Sequence, residues 1–408
     1  MVAERTDIAI LGGGLAGGLI ALALARWRPD LSLRLIERDD RLGGNHVWSF
    51  FATDVTADEQ ALVAPLIEAE WPDYEVRFPG FARVLPTAYR TTTSRRLDAA
   101  LRAALPSGAI LCGAQAACVS RTRIALNDGR AFVARSVIDA RGIDNFGTMT
   151  GGWQKFLGQR LKLTEPHGLT RPLVMDATVG QIDGYRFVYC LPFAADEIFV
   201  EDTYYSDDPA IDRPALTARI AAYAAARGWR VGEVLAEEQG VLPVIAGGRP
   251  FGPEPDTSPA DRPILAGTRA GLLHPLTSYS LPCALHHAVA LARHPAVGTD
   301  KFHAQFEQYT INHWNNVRYY RYLAAMLFAA ARPDQRYRVM ARFYGLNAGL
   351  IERFYAGQST MADKARILIG RPPVPIHRAV GVLTGLGAGP RLLSSRRVRS
   401  RDPGGLAG

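Results

Sequence analysis

The most constraining feature of this sequence lies near its start. A short apolar run, Asp7-Ile-Ala-Ile-Leu11, meets the glycine cluster Gly12-Gly13-Gly14-Leu15-Ala16-Gly17 and continues as the apolar stretch Leu19–Arg26. Apolar runs of those lengths joined by glycines read as strand, tight turn and helix. After the break at Pro29-Asp30, Leu31-Ser-Leu-Arg-Leu-Ile-Glu37 alternates like a second strand and ends in a carboxylate. The unit is β-α-β. Its Gly12-x-Gly14-x-x-Gly17 spacing lets backbone N–H groups approach a pyrophosphate at the positive end of a helix, and Glu37 stands where a carboxylate holds a ribose hydroxyl. The expected nucleotide contacts are therefore Gly12, Gly13, Gly14, Leu15, Ala16, Gly17 and Glu37.

NAD and FAD share this fingerprint. Two later segments favour FAD, because each reads as a further strand of the first sheet stopping at a close-approach glycine: Val137-Ile-Asp-Ala-Arg-Gly142 and Pro263-Ile-Leu-Ala-Gly267. Gly142 and Gly267 join the expected contacts on that ground. In between, Ala109–Cys112, Arg123–Leu126 and Ala131–Ala134 read together as a small β-meander, and Leu97, Leu101 and Leu105 recur at helical spacing. From about residue 161 to 243 strand-like segments dominate, interrupted by one helix over Ala215–Arg227. From Asp300 to about residue 371 the pattern is helical and rich in aromatics. The expected fold is α/β (α+β overall), with a Rossmann-type FAD-binding domain (1–50, 86–145 and 256–300) interleaved with an antiparallel substrate-binding sheet domain (51–85 and 146–255). A helical region (301–390) and a basic, disordered tail (391–408) follow.

Composition excludes several classes. With 408 residues, 48% of them hydrophobic, the chain has enough apolar material for a large core. The net charge of +8 is concentrated at the end, where Arg391, Arg396, Arg397, Arg399 and Arg401 against Asp402 contribute about half of it. No basic stripe interleaved with aromatics runs through the rest, so nucleic acid is not an expected partner. The four cysteines, Cys112, Cys118, Cys190 and Cys283, form no C-x-x-C pair, which argues against a zinc site and for a reducing, cytoplasmic address. His286, His287 and His313 have no metal-like partners at helical spacing and read as structural. No signal peptide opens the chain and no apolar run is long enough to span a bilayer.

Beyond the nucleotide unit, the residues resemble the bacterial lycopene cyclases, flavoproteins of carotenoid biosynthesis. The resemblance rests on Leu11–Gly17, Gly44-Asn-His-Val-Trp-Ser-Phe50, Phe199-Val-Glu-Asp-Thr-Tyr-Tyr205, Gln239-Gly-Val-Leu-Pro243, Arg269–Pro275 with Thr277–Ser280, and Arg342–Leu346 with Ile351–Tyr355, in order from residue 7 to about 377. It implies FAD, active in its reduced form, NADPH or NADH as the reductant, and lycopene and γ-carotene as substrates. It also implies peripheral association with the cytoplasmic face of the inner membrane, through the aromatic helices or the Arg-rich tail. The reaction it implies begins by protonating an isolated alkene and ends by losing a ring proton, without net redox change. That calls for a carboxyl that stays protonated at neutral pH through burial or a neighbouring carboxylate. Glu201 and Asp202 are the catalytic candidates. Because adjacent strand residues point to opposite faces, Glu201 is expected to be the acid and Asp202 a structural partner behind it. Gly44 and His46 are expected near the FAD, as are His274, Pro275 and Thr277 ahead of the helix at 282–292, whose positive end would favour an anionic flavin. Without the resemblance the residues stop at a flavoprotein with a large apolar pocket. A hydroxylase or prenyl reductase of that architecture is the alternative, and it would consume reduced nicotinamide in proportion to product.

Overall fold

The structure is a computed structural model; it describes residues 3–143, 146–249, 261–369 and 389–393. The chain begins with β1 (Glu4–Leu11), α1 (Leu15–Trp27) and β2 (Leu33–Ile36), the expected β-α-β unit. Next come β3 (Val47–Phe51), α2 (Ala57–Val63), β4 (Ile67–Trp71), β5 (Tyr74–Phe78), β6 (Phe81–Leu85), β7 (Tyr89–Thr93) and α3 (Ser94–Ala104). Then follow β8 (Ile110–Leu111), β9 (Ala116–Val119), β10 (Arg123–Leu126) and β11 (Ala131–Asp139). The middle of the chain holds β12 (Thr150–Leu163), β13 (Leu173–Asp176), β14 (Tyr185–Ala194), β15 (Glu197–Ser206), α4 (Arg213–Ala226) and β16 (Val231–Gly247). After β17 (Ile264–Leu265), the helices α5 (Leu281–Ala292), α6 (Asp300–Asn316), α7 (Arg318–Ala325), α8 (Arg336–Tyr344), α9 (Ala348–Tyr355) and α10 (Met361–Leu368) precede a short β18 (Arg391–Leu392).

The nucleotide sheet runs β8-β2-β1-β11-β10-β9, with β17 also on β11. β8, β2, β1, β11 and β17 are mutually parallel along their pairs, whereas β11, β10 and β9 form an antiparallel meander. Two sequence readings need correction. Ile110-Leu111 is not part of the meander but a parallel edge strand on β2, and the meander's first strand is Ala116–Val119. The two segments read as separate strands, 131–134 and 136–140, are one continuous strand, with the meander on its first half and β17 on its last residues.

The second sheet, ordered β16-β12-β15-β14-β13-β5-β6, is antiparallel except for the β13–β5 pair. Alternation along β15 sorts its two faces: Val200 and Tyr204 join Leu157, Leu161 and Val188 under α4, while Phe199 and Tyr205 face the aromatic cluster of α7–α9. α4 presents Leu216, Ile220, Tyr223 and Ala224 to that underside at helical spacing, and its first turn is capped by Asp212. A small third sheet, β3-β7-β4, joins the two larger ones.

The helical region is divided. α6 packs Phe302 and Phe306 into the nucleotide-side core with α1 and α5, whereas α7–α9 pack on the second sheet. Arg336, fully buried, ties the two together by donating to the carbonyls of Tyr205 and Leu327 and to the Asp207 carboxylate. The start of the expected disordered tail is a strand: Arg391 and Leu392 pair with β12 and Leu393 is buried. Residues 394–408 lie outside the described residues. None of the described helices is long and apolar enough to cross a membrane.

Candidate active site

The glycine turn is built for close approach. Gly12 has φ of +101°, and a Cβ there would lie 2.8 Å from the backbone of Ala140 and Arg141, so only glycine lets β1 pass β11 at this point. At Gly17 a Cβ would meet the Gly12 carbonyl oxygen, which lets α1 sit directly on the turn. Gly14 differs, since a Cβ there would meet nothing within 4 Å. No side chain caps α1 and no carboxylate stands in its first turn, so its amide dipoles face open space suited to an anion. Glu37 accepts the Gly13 N–H at 2.6 Å and the Asp39 N–H at 3.1 Å, which fixes its carboxylate at the rim. These groups fit a pyrophosphate-bearing dinucleotide.

The turn opens into a cavity of about 910 Å³, and the same cavity reaches the second sheet. Gly12, Gly14, Leu15, Ala16, Glu37, Gly44, His46, Gly142, Gly267 and Thr277 lie on its wall at the nucleotide end, and Glu201 at the other. Gly13 acts through its N–H to Glu37, and Gly17 through packing. Gly267, with φ of +58°, brings its backbone against Ala16, where a Cβ would come within 2.5 Å. His274 and Pro275 do not line the cavity. His274 is buried between Tyr320 and Phe354, 4.4 and 5.1 Å between ring centroids, with its Nδ1 3.0 Å from the Thr277 hydroxyl. Burial holds its imidazole down at about 3, so it stays neutral. The Pro275 carbonyl accepts the Ile245 N–H. Of His274, Pro275 and Thr277, only Thr277 lines the cavity, with Ser278, Tyr279 and Ser280 after it.

At the sheet end, Phe199, Glu201, Thr203 and Tyr205 project from β15 toward the cavity side. Asp202 points the other way, has no solvent exposure, and is held by Arg186 at 2.7 Å and the Tyr204 hydroxyl at 2.5 Å. It is therefore outside the reacting space, and its candidacy as a catalytic group is corrected to that of a charge behind the acid. Burial pushes the Glu201 carboxyl up to about 7, against hydrogen bonds with Thr203 and Glu238 that favour its charged form. The same cavity is lined by the aromatic side chains of Trp48, Phe51, Tyr89, Phe156, Phe187, Tyr189, Tyr205, Tyr279 and Tyr355. The Tyr189 hydroxyl donates to Ser49 at 2.6 Å and lies 3.0 Å from the Tyr89 hydroxyl; burial raises both phenols far above their ordinary range and keeps them neutral. Of the C-terminal aromatics, Tyr355 reaches the wall, while Tyr320, Phe343, Tyr344 and Phe354 pack in the core.

Sequence reasoning missed Glu238. On β16, it is buried on the cavity wall, hydrogen-bonded to Glu201, and accepts the Val47 N–H at 2.5 Å. A signal was present: it immediately precedes Gln239-Gly-Val-Leu-Pro243, one of the segments carrying the resemblance.

A family model described as lycopene cyclase protein matches residues 7–380. The chain belongs to the lycopene cyclase family. It is 44% identical over 376 residues to a lycopene beta-cyclase of Pseudescherichia vulneris, covering 91% of this chain and 96% of that one. It is also 41% identical to those of Pantoea ananas and of a Paracoccus species, each covering 92% of this chain and 97% of the relative. Among solved structures, its fold is similar to a geranylgeranyl bacteriochlorophyll reductase-like protein of Thermoplasma acidophilum (TM-score 0.56, 15% identity, covering 91% of this chain and 98% of that one). It is likewise similar to an anhydrotetracycline hydroxylase of Streptomyces rimosus (TM-score 0.53, 15% identity, covering 90% and 77%). A lycopene cyclase family member thus has a fold shared with a reductase-like protein and a hydroxylase, with a dinucleotide cradle and a buried carboxyl on one cavity.

Proposed function

We propose that this enzyme cyclises the ψ-ends of lycopene to β-ionone rings, giving β-carotene by way of γ-carotene, without net redox change. The observation that carries the reading is the position of Glu201: a buried carboxyl that burial pushes up to about 7, on an aromatic wall, in the same cavity as the glycine turn. Glu201 gives its proton to the terminal alkene and so creates a tertiary cation within the substrate. The aromatic faces of the chamber can stabilise positive charge and exclude the water that would trap the cation as an alcohol. Thr203 and Glu238 orient the acid, and the Tyr89–Tyr189–Ser49 network stands beside it, Tyr189 being the residue directly opposite Glu201 on β14.

The dinucleotide that fits is FAD. The uncapped start of α1, with Gly12 and Gly14, would receive its pyrophosphate, Glu37 a ribose hydroxyl, and Gly142, Gly267 and Thr277 the side toward the flavin. When bound and reduced, FAD supplies negative charge beside the cation, and NADPH or NADH serves to keep it reduced. Lycopene is a hydrocarbon dissolved in the bilayer, so the enzyme works at a lipid surface. Met361, Leu368 and Ile369, exposed on and just after α10, suit such contact.

The test is an anaerobic incubation with lycopene liposomes, FAD and NADPH, following carotenoids and NADPH together. β-Carotene at unchanged mass with NADPH loss far below product is expected from wild type. From Glu201→Gln, at least a hundredfold less is expected while FAD still binds. NADPH consumed in proportion to a reduced or hydroxylated product would overturn the reading.

A further inference from the structure

The feature the reaction above leaves unused is the second buried carboxyl. In the register of the large sheet, Gly158 of β12 stands opposite Glu201 of β15 on one side and opposite Glu238 of β16 on the other. Directly opposed residues share a face, so both acids and the bare Gly158 lie on one side of the sheet. With no side chain between them, the two carboxyls reach over the central strand and hydrogen-bond to each other. The Phe199 ring covers the strip: a Cβ on Gly158 would lie 2.3 Å from it. Any side chain at 158 would therefore displace the ring that keeps water off the pair.

Two carboxylates cannot hydrogen-bond to each other without a proton, and like charges in a dry site hold that proton strongly. Burial and the nearness of Glu201 push the Glu238 carboxyl well above the ordinary range, and burial raises Glu201 too. Glu238 accepts the Val47 N–H, a group that can only donate, and the His46 ring nitrogen lies 4.0 Å away. Glu201 accepts from the Thr203 hydroxyl. The other titratable groups facing the pair are the neutral hydroxyls of Tyr89 and Tyr189, with Asp202 behind the sheet neutralised by Arg186.

We propose that Glu238 is the positioning residue for the acid: the two carboxyls share one proton across Gly158, so the pair still holds a proton for the alkene at a pH where a lone Glu201 would have lost it. This rests on the cyclase reading above. It also accounts for the return of the proton. When the Glu201 O–H bond breaks and the alkene's π pair forms the new C–H bond, the pair of acids carries two negative charges. Ring closure moves the cation inward. The ring C–H bond then breaks, its electrons become the ring double bond, and the doubly charged pair takes the proton back onto Glu201. No oxidant, reductant or net proton is consumed.

The experiment compares wild type, Glu201→Gln and Glu238→Gln as FAD-loaded full-length enzymes on lycopene liposomes from pH 5.5 to 9, with FAD binding and thermal melting as controls. The expected result is that Glu238→Gln loses activity at an alkaline midpoint about one unit or more below that of wild type. Its rate relative to wild type then falls roughly tenfold or more between pH 5.5 and pH 8. A midpoint that does not move, whatever the rate, overturns the proposal and leaves the acid reading standing. Full activity in Glu201→Gln instead overturns the acid reading, and this proposal with it. A second measurement covers a poorly folding Glu238→Gln. Wild type at pH 8 should show the infrared carbonyl band of a protonated carboxyl that Glu201→Gln lacks, and absence of the band in wild type also overturns the proposal.

Discussion

At the scale of single residues, burial decides what each carboxyl does. Glu37 stays at a rim, fixed by backbone N–H groups, where a hydroxyl could reach it. Asp202 is as buried as any residue here, and burial raises its carboxyl, but the Arg186 guanidinium paired with it opposes that rise and holds it on the far face. Asp54 is a third case. It is buried with both donors, the Phe51 N–H and the Tyr279 hydroxyl, on Oδ2 and with no partner on Oδ1, and burial pushes it up to about 6. Between pH 4 and 6 the folded protein keeps this proton and the unfolded chain releases it, so the group lowers stability as pH rises, and the full cost applies above pH 6. Asp54→Asn is therefore expected to be more stable than wild type at pH 7.5, by about 1–3 kcal/mol, with the difference vanishing toward pH 4. Urea unfolding at both pH values measures it; equal differences at the two would contradict the assignment. The sequence made Glu201 and its opposition to Asp202 legible, because strand alternation is local. The pairing of Glu238 with Glu201 was not legible, although Glu238 adjoins a segment carrying the resemblance: their meeting depends on the register of β12 between two strands, and no local pattern encodes a register across separate segments.

At the scale of elements, the β-α-β unit was readable because glycine spacing, helix and strand lie within one short segment. The β8 misreading has the opposite cause. A two-residue strand is apolar in either orientation, and only its partner decides parallel from antiparallel. His274 shows the same limit, since the loop before α5 turns Thr277 to the cavity and His274 into the core through a hydrogen bond between the two. The junction of β1 and α1 gives a test that separates fold from binding. Gly14 has an extended backbone, φ −71° and ψ −168°, and no neighbour where a Cβ would go. Gly14→Thr, which keeps an N-cap residue of similar preference, should thus leave the stability of the FAD-free protein within about 0.5 kcal/mol of wild type while lowering FAD affinity at least tenfold, as read by flavin fluorescence titration. Equal affinity would remove the pyrophosphate from this turn.

At the scale of the whole molecule, two sheets of different construction meet on one cavity. The parallel nucleotide sheet places its turn at one end, the large antiparallel sheet places the acid pair at the other, and α7–α9 close the aromatic side. Along the chain the strands alternate between the two sheets, β1, β2, β8–β11 and β17 in one and β5, β6 and β12–β16 in the other. The division of the C-terminal helices was not legible, because α6 and α7–α9 are equally aromatic in sequence and differ in which core they fill. The central claim is that a proton from Glu201 enters the product and a substrate proton leaves it. The most direct measurement is the mass of β-carotene formed from unlabelled lycopene in D₂O by enzyme equilibrated in that solvent. The account predicts a deuterium retained in each ring closed by an acid that has exchanged with solvent, with no other gain of mass and none formed by Glu201→Gln. β-Carotene formed by wild type with no deuterium at all would contradict it.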